Sequence, residues 1–356
     1  MAYLNAVSAV VPPNDVHQAF IGFAGGLLAG SRSAPLFDRL ATRSQIEHRW
    51  SVLGYGEGPE SSKTAEIGAH DFYKLGAFPT TAERMAVYAR FAPGLAQRAV
   101  KGLNLDDPSS ITHLIVTSCT GLYAPGVDLE LIGLCGLNPS IERTVIGFMG
   151  CYAAINALRA ARHIVRSEPE AKVLVVSLEL CSLHLQETTD LEQVLSFLVF
   201  ADGCAAALVS NDATGLSLDG FKTLLAPEAA GQITWKIGDK GFDMFLSGQV
   251  PASVGAALRG CKEALLGNAA IEDIDLWAVH PGGRSVLDAV ETALALPPNS
   301  MTASRAVLRD YGNMSSATIL FVLAEMLRDG RPGQRGKAMA FGPGLTAETM
   351  SFTVAG

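Results

Sequence analysis

The sequence predicts an α/β fold in which strand-like and helical runs alternate along the chain. Three observations predict it. Short apolar runs rich in branched residues recur between longer segments. Several of those runs are continuously apolar, as strands covered on both faces are. The segments between them place apolar residues three and four apart, the spacing of a helix with one buried face.

The elements follow in order. Residues 20–30 are apolar but short and Gly-rich, which reads as a buried helix or loop. Thr80 and Glu83 have capping-box spacing before a helical run over residues 85–91, and Pro93 is expected to interrupt or kink it. Strands are predicted at residues 113–116, 144–146, 173–176, 205–209, 276–279 and 350–354. Ala154, Leu158, Ala161 and Val165 share one helical face; so do Leu287, Val290 and Leu294, and again Ile319, Leu320, Leu323 and Leu327. Residues 111–116 and 274–279 are both apolar strands that lead to a Gly-containing turn and then a helix. That likeness suggests two related halves, residues 1–211 and 212–356, with the seam at residues 211–215.

The bulk properties narrow the function. The chain has 356 residues, 49% hydrophobic and 17% charged, with a net charge of −8. Such a balance argues against a nucleic-acid surface, which needs a basic field, and leaves any phosphate-bearing ligand to a local basic patch. The first seven residues lack the charged and apolar regions of a signal peptide, and no apolar run reaches the ~18 residues of a membrane span. The expected location is the cytoplasm. Six cysteines (Cys119, Cys135, Cys151, Cys181, Cys204 and Cys261) form no C-x-x-C pair, which suits free thiols in a reducing compartment. No histidine pair has metal-ligand spacing, and no metal site is expected.

Three residues suggest chemistry. Cys151 follows Gly147-Phe148-Met149-Gly150 and starts a run of small residues, Ala153, Ala154, Ala157, Ala160 and Ala161. A thiol at a strand-to-helix turn gains thiolate character from the helix N-terminus and from a nearby imidazolium. The bland alternative is a small side chain filling a tight turn. His280 ends an apolar strand before Pro281-Gly282-Gly283, on the loop side where α/β enzymes place their sites; an ordinary bond to a loop carbonyl would also suit it. Asn313, before Ser315 and Ser316, is either a helix cap or a neutral donor aimed at an oxyanion. Residues 341–346 form a Gly-Pro-Gly turn that admits close backbone approach, yet they contain no Gly-Lys-Ser/Thr phosphate loop.

In this order Gly150-Cys151, His280-Pro281-Gly282-Gly283, Gly312-Asn313-Met314-Ser315-Ser316 and Gly342-Pro343-Gly344 resemble the type III polyketide synthases, the chalcone synthase-like branch of the thiolase superfamily. The resemblance spans nearly the whole chain. It implies a thiolase-like five-layered αβαβα fold of two pseudo-equivalent halves, working as a homodimer. It implies that Cys151 accepts an acyl group from a coenzyme A thioester. His280 would pair with the thiolate, and His280 with Asn313 would stabilise the enolate formed when malonyl-CoA loses carbon dioxide. No cofactor is implied beyond the acyl-CoA and malonyl-CoA substrates. Phe200 matches a gating aromatic. Arg39 and Arg43 match positions that meet coenzyme A phosphates, while Leu36 replaces the first basic position of that pattern. Ala124 matches the residue that reaches across the dimer. Cys119, Cys181 and His184 stand where plant relatives have Thr, Trp235 replaces a Gly and Met244 a Phe. This cavity looks like that of bacterial enzymes making alkylpyrones or alkylresorcinols from fatty acyl starters. The competing readings are a ketoacyl-ACP synthase III-like single condensation and a non-catalytic acyl-CoA-binding homologue. A biosynthetic thiolase would need a second catalytic Cys near the C-terminus, where this chain has none after Cys261.

Overall fold

The computed structural model describes residues 1–54, 68–267 and 269–356. Its framework is a mixed sheet of nine strands among the described residues. At the centre Tyr3–Val10 pairs antiparallel with Leu216–Leu225, through Tyr3 opposite Ser217 and Leu4 opposite Leu216. On one side follow Asp202–Ser210, Val173–Leu180, His113–Ser118 and Glu142–Gly147; on the other, Thr346–Val354, Arg335–Gly342 and Leu276–Val279. From the centre outward, each side runs antiparallel, antiparallel, then parallel. The two segments of similar pattern, His113–Ser118 and Leu276–Val279, therefore occupy matching places.

Five layers follow from what each apolar face covers. Helices Thr81–Gly102 and Val127–Cys135 cover one outer face, burying Leu95, Ala96, Ala99 and Leu131 against Leu114, Val116, Leu174 and Val176. Helices Ala153–Ser167 and Thr318–Asp329 form the middle layer, which contacts strands from both sides of the central pair. Helices Val250–Gly260 and Arg284–Leu294 cover the other outer face with Val254, Leu258, Leu287 and Val290. The middle layer explains the small residues: Ala154, Ala157 and Ala161 are wholly buried between the two halves of the nine-stranded sheet, where longer side chains would force the layers apart.

Two local expectations need correcting. Thr80 does cap its helix reciprocally with Glu83, but Pro93 does not interrupt it, and the helix runs unbroken for 22 residues. Burial of Ala92, Leu95 and Ala96 around the proline offsets a cost of about 3 kcal/mol for the lost hydrogen bond and ring clash. The Gly-rich segment is a helix, His17–Leu27, with only His17, Phe20 and Ala24 buried; it packs with Ala34–Arg43 and Leu191–Val199 in a small satellite core.

Candidate active site

Cys151 sits where strand Glu142–Gly147 ends. Phe148 and Gly150 take φ values of +56° and +70°, reversing the chain into a 3₁₀ turn, Gly150–Tyr152, that opens helix Ala153–Ser167. The turn is pressed against the hairpin turn after strand Arg335–Gly342. A Cβ on Gly150 would lie 2.4 Å from Cδ of Pro343, and one on Gly342 would lie 2.8 Å from the Tyr152 ring and 3.3 Å from the Cys151 nitrogen. Both glycines are therefore required by contact between the two turns.

His280 leaves the end of strand Leu276–Val279, anchored by its backbone N–H donating to the Met339 carbonyl at 2.8 Å. Its ring is 1% exposed, and neither ring nitrogen has a partner among the described residues. Asn313 is held through its backbone: its N–H donates to the Val199 carbonyl at 2.8 Å, and its carbonyl accepts from the Ala201 N–H at 2.9 Å. Its side-chain oxygen accepts from the Ser315 N–H at 2.9 Å, so the amide nitrogen is the group left to act as a donor; it meets the Gly282 carbonyl at 3.3 Å.

Burial dominates the electrostatics. It pushes the Cys151 thiol up to about 12, against the opposing pull of hydrogen bonds from Ser315 and Asn313. It pushes His280 down to about 3. No hydrogen bond joins the two side chains among the described residues; catalytic hydrogen bonds are often long before substrate binds.

Cys151, His280 and Asn313 line one cavity of about 240 Å³. The expected Phe200, Cys119, Cys181, Trp235, Met244, Gly342 and Pro343 are on its wall. Trp235 and Met244 face each other across the hairpin Ile233–Gly238/Gly241–Leu246, and the indole N–H donates to the Cys119 carbonyl at 2.7 Å. His184 is not on the wall. Its Nε2 meets the Thr120 carbonyl at 2.7 Å, its Nδ1 accepts from the Phe242 N–H at 3.0 Å, and its ring stacks on Phe242 with centroids 4.2 Å apart. It props Trp235 from behind, edge to face at 5.4 Å. Gly344 also lies off the wall; with φ +77° it turns the chain. Arg39 and Arg43 project from helix Ala34–Arg43 as exposed residues outside the cavity, and the Arg43 carbonyl accepts from Arg284 at 3.2 Å, beside the lining residues Gly283 and Ser285.

Sequence reasoning missed Glu179. This carboxylate is fully buried at the floor, accepting from the Cys119 N–H at 3.0 Å, the Cys119 thiol at 3.3 Å, Thr120 Oγ1 at 2.8 Å and Ser316. Burial raises its pKa despite those bonds. Ser315 links this floor to the thiol, lying 3.2 Å from the Cys119 sulfur and bonding to Cys151. The available signal was a lone acidic residue in the apolar run Val173–Leu180.

Gly342→Ala should destabilise the fold by about 1–3 kcal/mol through overpacking and slow turnover by displacing the Cys151 turn; unchanged denaturant unfolding would contradict the close contact. His280 supplies a pH test. Its folded pKa is lowered, so below about pH 6.5 the unfolded chain binds a proton that the fold refuses, and stability falls with acidification. Between pH 7 and 5 the loss should be about 2 kcal/mol smaller in His280→Gln than in the unmodified protein, measured by urea unfolding at both pH values.

Comparison with known proteins agrees with this geometry. Residues 34–213 match the N-terminal domain of chalcone and stilbene synthases, and residues 220–355 match the C-terminal domain. Bisdemethoxycurcumin synthase of Oryza sativa is 34% identical over 307 residues, 80% of this chain and 76% of that protein. The alpha-pyrone synthesis polyketide synthase-like protein Pks18 of Mycobacterium tuberculosis is 34% identical over 291 residues, 77% of this chain and 74% of that protein. The structure of 1,3,6,8-tetrahydroxynaphthalene synthase from Streptomyces coelicolor, a bacterial type III polyketide synthase, superposes with a TM-score of 0.87 at 29% identity, covering 99% of each chain. The chain belongs to the chalcone and stilbene synthase family, the acyltransferases known as type III polyketide synthases.

Proposed function

We propose that this enzyme loads an acyl-CoA starter on Cys151, extends it with malonyl-CoA by repeated decarboxylative condensation, and cyclises the product, with a fatty acyl starter and an alkylpyrone or alkylresorcinol product. The observation behind this reading is the convergence of Cys151, His280 and Asn313 on one largely apolar cavity. His280 takes the Cys151 proton as the sulfur attacks the thioester carbonyl and passes it to the departing coenzyme A sulfur, which leaves as the thiol. Malonyl-CoA then loses carbon dioxide. The enolate oxygen is met by the N–H of the neutral His280 ring and the Asn313 amide N–H, donors fixed in place by the backbone bonds around them. The enolate carbon attacks the acyl group on Cys151 and expels Cys151 as the thiolate, leaving the extended chain on coenzyme A; the thiolate takes one proton from solvent and is free for another round. Coenzyme A thioesters enter as substrates, their phosphates meeting Arg39 and Arg43 outside the cavity. The apolar walls and the relationship to an alpha-pyrone synthase-like protein favour a lipid-like starter.

We also place the partner of a homodimer on the free edge of the sheet. Strand Glu142–Gly147 has no neighbour on its outer side among the described residues, and Val145 is 51% exposed there. Leu122, Leu129 and Leu134 are exposed on nearby segments, as is Ala124.

Mass spectrometry of products from malonyl-CoA and a panel of acyl-CoA starters tests the chemistry. Long-chain starters should give pyrones or resorcinols, and Cys151→Ala should form no product while staying folded. Product from Cys151→Ala would refute the nucleophile, and exclusive use of short or aromatic starters would refute the starter class. Val145→Arg should shift the light-scattering mass toward a monomer.

A further inference from the structure

Arg49 is a buried cation that stands behind the catalytic cavity without lining its wall. Burial lowers its pKa to about 10, so the guanidinium stays charged at neutral pH. From one side it is held by His17 and Phe20. Its Nε donates to His17 Nδ1 at 3.0 Å, and its guanidinium carbon lies 4.7 Å from the Phe20 ring centre. Burial and the facing guanidinium lower His17 to about 4, which keeps that imidazole neutral and able to accept.

The other side of the guanidinium meets a helix end. Helix Leu191–Val199 stops here, and its last carbonyls have no partner within the helix. Nη1 of Arg49 donates to the Phe197 carbonyl at 3.0 Å and to the Phe200 carbonyl at 2.6 Å. Nη2 has no partner among the described residues. The Val199 carbonyl accepts from the Asn313 N–H, and the Ala201 N–H donates to the Asn313 carbonyl at 2.9 Å. The peptide unit that joins Phe200 to Ala201 therefore accepts from Arg49 through its oxygen and donates to Asn313 through its N–H. A charged donor on that oxygen polarises the unit and strengthens its second bond. Direct contact adds to this. A Cβ on Gly312, where φ is +71°, would lie 2.9 Å from Arg49 Cγ and 3.0 Å from the Val199 oxygen.

The backbone around Arg49 is anchored independently of its guanidinium. The Glu47 and His48 N–H groups donate to the Arg309 carbonyl at 2.8 and 3.0 Å, and the Trp50 indole N–H donates to the Asp310 carbonyl at 2.9 Å. Losing the guanidinium should thus loosen the Phe197–Ala201 segment and leave the end of helix Thr302–Tyr311 in place.

We infer that Arg49 is a positioning residue for decarboxylation: it fixes the Phe200–Ala201 peptide that holds Asn313, and so sets where the Asn313 amide meets the enolate oxygen. This inference rests on the role given to Asn313 above. A shift of about 1 Å in such a group costs up to about a hundredfold in rate.

The test follows decarboxylation of malonyl-CoA to acetyl-CoA without a starter, in the unmodified enzyme, Arg49→Met, Asn313→Ala and the double variant, with folding checked by circular dichroism. Arg49→Met should lower kcat about 10- to 100-fold while KM for malonyl-CoA stays within about threefold. Asn313→Ala should lower kcat about 100-fold or more. Because Arg49 acts through Asn313, the double variant should be within about twofold of Asn313→Ala. Arg49→Lys keeps the charge without the planar fork. It should recover part of kcat, remaining at least about threefold below the unmodified enzyme, and it decides the matter if Arg49→Met does not fold. A folded Arg49 variant with unchanged kcat would overturn the inference. So would losses that multiply in the double variant, the mark of a role independent of Asn313. An Asn313→Ala enzyme that decarboxylates at the unmodified rate would instead overturn the role of Asn313, and this inference with it.

Discussion

The site depends on one packing arrangement: helices Ala153–Ser167 and Thr318–Asp329 buried together between two sheet layers. Small side chains at Ala154, Ala157 and Ala161 permit it. Both helices begin at segments that line the cavity, Cys151 before one and Asn313 with Ser315 before the other. Their N-termini therefore present backbone donors and positive dipole ends to the same cavity. His280 arrives from the end of a strand in the neighbouring layer, and the Gly342–Pro343 turn closes against Cys151. A larger residue in the middle layer would move every one of these groups.

The same burial sets the chemistry. Burial raises the pKa of the Cys151 thiol and lowers that of the His280 imidazole, so both shifts oppose charge. Ser315 and Asn313 lower the cost of the thiolate, while Glu179 beneath them works in the opposite direction. Ser315, with φ +46°, sits in a strained backbone conformation that the surrounding bonds of Asn313 and Thr318 hold in place.

Much of the fold was legible because its signals are local. Six strands could be read from short runs, several of them continuously apolar, and the capping box at Thr80 from two residues. Strand Tyr3–Val10 escaped notice because it mixes polar and apolar residues at partly buried positions. Leu216–Leu225 and Arg335–Gly342 escaped because Gly220, Gly336 and several charges interrupt their patterns. Pro93 misled because a local rule about helix breaking yields to burial on every side. His184 misled in another way: position in the chain suggested a cavity wall, but two backbone partners and a stacked ring hold it behind Trp235.

By itself the sequence determined the kinds of chemistry available: a thiol at a glycine turn, an imidazole at a strand end, and an amide before a helix. Those are properties of short segments and their residue types. Only the tertiary structure decided that Cys151, His280 and Asn313 share one cavity and that Glu179 lies under it. The reason is physical. Cavity walls are built from segments more than a hundred residues apart, as Cys119 and Trp235 are, and their shape follows from how whole layers pack.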